Sequence, residues 1–144
     1  MKKRSVLCSL LVICLVFFSA CEIVKSPDYY ELNGGDNVPS YTKVVGSRTV
    51  STKKINMTNA VQSVVYSYKD VEDAYADAET YIDYLMDEEG FYFSGMLNMD
   101  EEEDEITISK TSPNDKEYEI RIIVTYSTKT QTVKINAERE KIIG

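Results

Sequence analysis

Carboxylates, Lys, Ser and Tyr are the side chains from which this chain can build chemistry: it holds 24 Asp and Glu and 11 Tyr, and no histidine. The missing imidazole excludes Ser-His and Cys-His nucleophiles, imidazole metal ligands, and a general base that titrates near neutral pH by its own nature. Two carboxylates can still hydrolyse a glycoside, one as acid and the other as base or nucleophile. With so many acids, however, pairs arise by chance, and no G-x-S-x-G, phosphate-binding loop or S-x-x-K stands in the sequence. No catalytic residue, cofactor site or metal site is assigned, and a small carboxylate-based hydrolase is kept only as an alternative.

The acids are concentrated. Residues 70 to 105 hold 15 of them and no Lys or Arg, whereas residues 37 to 69 hold five bases and no acid. Glu79, Asp83 and Asp87 follow one another at i, i+4 spacing, as do Asp73 and Asp77, and each like-charged pair is mildly destabilising in a helix. Asp87, Glu88 and Glu89 fall at the negative end of the helix dipole. Local electrostatics oppose this helix, so burial of its apolar stripe must hold it while something else eases its outer face. Three readings compete: a solvated face eased by salt and by the basic stretch from Lys43 to Lys54; a protein or cationic polymer docked around Tyr84, which projects among Asp73, Asp77 and Glu88; and a divalent cation held by Asp100 to Glu105. That last run lacks the spaced oxygens and central glycine of an EF-hand loop, and a charged β turn explains it with less.

The N-terminus has its own pattern. Met1-Lys2-Lys3-Arg4 precedes an uncharged apolar run from Val6 to Ala20, 15 residues long. Spanning a bilayer takes about 20 helical residues, so the run reads as an export signal rather than a permanent span. Phe18-Ser19-Ala20-Cys21 resembles the lipobox of bacterial lipoproteins: a large apolar residue, here Phe where the family usually has Leu, two small residues, then the acylated cysteine. The resemblance covers residues 1–21. It implies a diacylglycerol on the Cys21 sulfur, cleavage by signal peptidase II before it, and residence outside the cytoplasmic membrane. Cys8 and Cys14 would leave with the signal, so the exported product keeps one cysteine and forms no internal disulfide. Two or more acyl chains make such an anchor effectively permanent.

Three segments follow: a signal peptide (1–20), a lipid anchor and flexible tether (21–40), and a single domain (41–144). Residues 22–40 include two of the three prolines and the pair Gly34-Gly35. As a coil they would reach about 25 Å, and about 65 Å extended, enough to lift a domain clear of the head groups. Asn33-Gly34 can instead turn a small hairpin. The exported part carries a net charge of -11, a balance that argues against nucleic acid and against lying on anionic lipid.

Within the domain, β-branched residues between Lys43 and Ile55, and the run Val64 to Tyr68, predict two strands. Between Asp70 and Glu89, Val71, Ala74, Tyr75, Ala78, Ile82, Leu85 and Met86 recur at the steps of one helical face. Asp70 can cap the start, Gly90 can take the left-handed conformation at the end, and Phe91 can close the last turn. Four further strands are expected over Phe91–Leu97, Ile106–Thr111, Tyr118–Ser127 and Thr132–Glu138. The third alternates most regularly, with Tyr118, Ile120, Ile122, Val124 and Tyr126 on one face. The fold class is α+β: one amphipathic helix packed on one face of an antiparallel sheet, in the order β-β-α-β-β-β-β, as a two-layer sandwich. Tyr66, Tyr68, Tyr118 and Tyr126 should fill the core edges with hydroxyls at the rim. Tyr29, Tyr30 and Tyr84 are left as candidate partner contacts.

Overall fold

The computed structural model describes residues 24–58 and 61–143. The expected signal peptide and Cys21 lie outside the described residues. Two short strands, β1 (Tyr29–Glu31) and β2 (Asn37–Pro39), form an antiparallel hairpin around a 3-10 turn at Asn33–Gly35. A short helix, α1 (Tyr41–Val45), follows, then β3 (Thr49–Met57), β4 (Val61–Lys69), the main helix α2 (Ala74–Asp87), and the strands β5 (Glu103–Thr111), β6 (Tyr118–Ser127) and β7 (Thr132–Lys141). The last five strands make one sheet in the order β3-β4-β7-β6-β5, with every neighbouring pair antiparallel.

The alternation in β6 sets the two faces of this sheet. Ile108, Ile122 and Ala137 lie side by side across β5, β6 and β7, as do Ile106, Val124 and Ile135, and all six are buried. On the opposite face Arg121 pairs with Glu138 at 3.8 Å and Glu140 at 3.1 Å, and Ser63 donates to Asn136 at 2.8 Å. One face is dry and the other wet, as period-2 patterning requires. The helix α2 lies against β6, β7 and α1, burying Ala74, Ala78, Tyr81, Ile82 and Leu85.

Both ends of α2 have identifiable causes. The start lies later than expected: Asp70 adopts a φ of 56° and turns the chain out of β4, while Asp73 is the cap and accepts from the Ala76 N–H at 3.0 Å. At the other end Gly90 has a φ of 75°, and the Phe91 N–H donates back to the Leu85 carbonyl at 3.1 Å with its ring buried. Lys110 of β5 donates to the Glu89 carbonyl at 2.8 Å and sits 3.7 Å from the Glu89 carboxylate. A cation from the sheet thus offsets the unfavourable charge at the negative end of the dipole.

Three segments differ from the sequence-based expectation. Residues 43–55 are not one strand: Ser40 caps α1 by accepting from the Lys43 N–H, and the strand begins at Thr49 after Gly46, whose φ is 93°. Phe91–Leu97 is not a strand either. Tyr92 alone bridges to Ser109, and the sheet edge is taken by β5, which starts inside the acidic run at Glu103. Third, the tether expected over 21–40 is folded from Ser26 onward. Tyr30, Leu32 and Val38 are buried, and Ser26 is within hydrogen-bonding distance of Tyr68 at 2.9 Å. Alternating Tyr30 and Leu32 opposite Val38 gave this hairpin a dry side, and that outweighed its Gly and Pro content.

Candidate functional site

The sequence singles out Tyr84, Asp73, Asp77 and Glu88 on α2 as a contact surface, and the fold commits two of these acids to the protein itself. Asp73 is the helix cap. Asp77 is held by Arg48, whose Nε donates at 2.7 Å and whose Nη2 donates at 2.9 Å to the two carboxylate oxygens, while the Tyr41 hydroxyl donates at 2.8 Å. Tyr84 is half-buried and packs against the core, and Glu88 is exposed just past the last turn. Asp73 and Glu88 are both exposed but stand at opposite ends of α2, so these four do not converge on one surface site. Asp73 and Asp77 alone share a cleft, an open one of about 360 Å³ that Arg48, Asp70 and Glu72 also line.

The two-pronged contact explains how the basic stretch before β3 eases the acidic helix. Hydrogen bonding to Asp77 outweighs partial burial and holds the Arg48 guanidinium firmly charged. Burial, then the neighbouring Asp77 carboxylate, push the Tyr41 phenol far above its ordinary range, so it remains a donor. Asp77→Asn should lower stability by about 1.5–3 kcal/mol, because a charge-assisted pair is lost at a partly buried position. Neutralising the exposed Glu79 and Asp83 instead should leave the melting temperature unchanged or raise it at low salt. Thermal melts of the three variants at low and high salt check both signs; a stabilised Asp77→Asn protein would refute the assignment.

A second polar cluster lies under the hairpin and was not expected from the sequence. Asp36, 1% exposed, accepts from Arg139 Nε at 2.8 Å, from Ser112 at 2.7 Å and from the Asn114 side-chain amide at 2.8 Å. Burial raises the Asp36 pKa, but the Ser112, Arg139 and Asn114 donors and the Arg139 charge together outweigh it, and its carboxyl sits below the usual range. The Arg139 guanidinium lies 3.6 Å over the Tyr118 ring. Gly34 closes its other side: a β-carbon there would come within 2.6 Å of Nη2, and its φ of 73° also suits glycine. Asp36 is therefore an ionised structural anchor rather than a proton donor poised for hydrolysis. Its partners are 76 to 103 residues away in sequence, so local spacing carries no signal of it.

The tyrosines are also used internally. Tyr30 and Tyr68 hydroxyls are 2.8 Å apart, the Tyr30 oxygen accepts from the Tyr41 N–H at 3.1 Å, and the buried Tyr81 hydroxyl donates to the Pro39 carbonyl at 2.9 Å. Tyr41 stacks obliquely on Tyr68 at 4.7 Å and meets Tyr81 edge-on at 5.7 Å. Burial raises the pKa of Tyr30, Tyr68 and Tyr81, and it lifts Tyr126 to about 12. Tyr68 and Tyr126 are thus core residues rather than rim residues, and Tyr126 donates to the Asp100 carbonyl. Tyr30, expected as a partner contact, is 1% exposed and central to this network. Tyr29 remains exposed, with the Lys43 ammonium 3.5 Å over its ring.

In the acidic run the Asp100 carboxylate accepts from the Glu102 N–H at 2.8 Å, and Asp104 accepts from the Asp100 N–H at 3.1 Å. Those oxygens turn onto their own backbone. Among the described residues no three Cys, Asp or Glu side chains gather as metal ligands would. Comparison with protein-family models, with curated proteins and with solved structures finds no match.

Proposed function

We propose that this chain is a bacterial lipoprotein, anchored outside the cytoplasmic membrane by lipid on Cys21 and presenting a small acidic two-layer domain that acts by binding rather than catalysis. The observation that carries it is the N-terminal pattern: a basic tip, an uncharged run of 15 residues, and Phe18-Ser19-Ala20-Cys21 directly after it. Cysteine usage supports it, since thioether attachment would consume the one thiol left after cleavage. Among the described residues no helix is long and apolar enough to cross a membrane. The binding role is supported by exposed acids on α2: Glu79, Asp83, Asp87 and Glu88 have no ion-pair partner among the described residues, which suits a cationic protein segment.

Cys21→Ser is the test. Lipid labelling of the wild-type chain in cells should be strong, and the variant should lose it and accumulate uncleaved or released protein. Equal labelling and membrane retention in the two chains would overturn the anchor.

A further inference from the structure

We propose that the domain lies on the bilayer instead of hanging from it, with residues 24–31 and the α2-facing side of β3 seated among the lipid head groups. This rests on the anchor at Cys21 and adds an orientation to it. The folded chain begins at Ser26, which accepts from the Thr42 hydroxyl at 2.6 Å and meets the Tyr68 hydroxyl at 2.9 Å. From Cys21 to Ser26 a fully extended chain spans at most about 18 Å. Chain length therefore confines the face around Val24 to within that distance of the anchored sulfur.

That face has the make-up of an interfacial surface. Val24, Tyr29, Ile55 and Met57 are 41%, 43%, 54% and 65% exposed. Ile55 and Met57 lie on the same side of the sheet as buried Val64, but on the edge strand, which α2 does not cover. Tyr29, Ile55 and Tyr66 line one open groove of about 260 Å³ with Lys53 at its side. Lys25 and Lys43 line the neighbouring cleft of about 440 Å³ that begins at Val24. Tyrosine places an apolar ring and a polar tip across a water-lipid boundary, and lysine covers apolar surface with its stem while its ammonium reaches phosphate. Asp28 and Glu31 are the acids on this side, and Arg48 is engaged by Asp77. The net charge of -11 does not forbid the contact, because salt screens charges beyond about 8–10 Å.

The test uses the full chain, matured in cells and reconstituted into phosphatidylglycerol-containing vesicles, with a fluorophore on Met57→Cys or, as the reference, on Asp83→Cys of α2. The Met57→Cys label should be several-fold less accessible to acrylamide than the Asp83→Cys label, and Lys25→Gln and Lys53→Gln should each lower the docked-to-free ratio about fivefold. Equal quenching at both positions overturns the docking while leaving the anchor intact. Protection of Met57→Cys in detergent solution that grows with protein concentration would name a second copy as the occupant and also overturn it. Thiol label entering the parent chain at Cys21 would remove the anchor, and the proposal with it.

Discussion

Arg139→Leu should lower the unfolding free energy by about 3–5 kcal/mol, among the largest losses open to a single substitution in this domain. The reason is what remains behind. Asp36 stays buried, and Ser112 and Asn114 are too few to hold an ionised carboxylate that has lost its cation. The Tyr118 ring also loses the guanidinium stacked 3.6 Å above it. Chemical denaturation of wild type and variant measures the difference. A change below about 0.5 kcal/mol would place Arg139 with ordinary surface residues.

The same pair sets an acid-side pH dependence. Because the folded-state pKa of Asp36 lies below its unfolded value, the folded protein holds fewer protons, and the group stabilises it. That contribution is fully present above the unfolded value of about 3.9 and is lost as pH falls through the depressed folded value. In Arg139→Leu, burial acts on Asp36 with less to oppose it, so the acid-side loss of stability should begin at a higher pH. Denaturation midpoints measured from neutral pH downward should show the two curves separating in that direction.

Tyr30→Ala should cost about 3–5 kcal/mol, the loss typical of emptying a buried aromatic site. Tyr30→Phe should cost about 1–2 kcal/mol, because the Tyr41 N–H is left without its acceptor and Tyr68 loses one of two partners. If residues 24–40 were a loose tether, both changes would fall within about 0.5 kcal/mol of wild type. The pair of variants therefore asks directly whether the N-terminal hairpin belongs to the domain.

Patterns confined to one element were readable without coordinates. The alternation from Tyr118 to Ser127 returned as β6 over the same residues. The helical stripe returned as α2, with Gly90 and Phe91 ending it as their chemistry requires. An antiparallel sheet with one amphipathic helix, the α+β class, follows from these periods, because each element must hide its own apolar face. α2 starts three residues later than a cap at Asp70 predicts, since Asp70 and Asp73 are chemically equal caps. The choice fell to Val71, whose N–H donates to the Gln131 carbonyl at 3.0 Å and whose side chain enters the core.

What lay beyond reading were the meetings between distant residues. Asp77 was legible as one acid in a repulsive row, yet whether Arg48 would reach it depends on the path from α1 into β3. Tyr30 had the composition of a linker around it, and its burial depends on Tyr41, Tyr66 and Tyr68 offering a wall for it to pack against. Periodicity records which face of an element avoids water and thus decides the kinds of element; it carries no distance between them. The polar contacts that tie the hairpin, the basic turn and the last strand together exist only once packing has brought those elements within a few ångströms, and that is why the chain alone announced a helix and a sheet while the fold chose which acids and tyrosines remain at the surface.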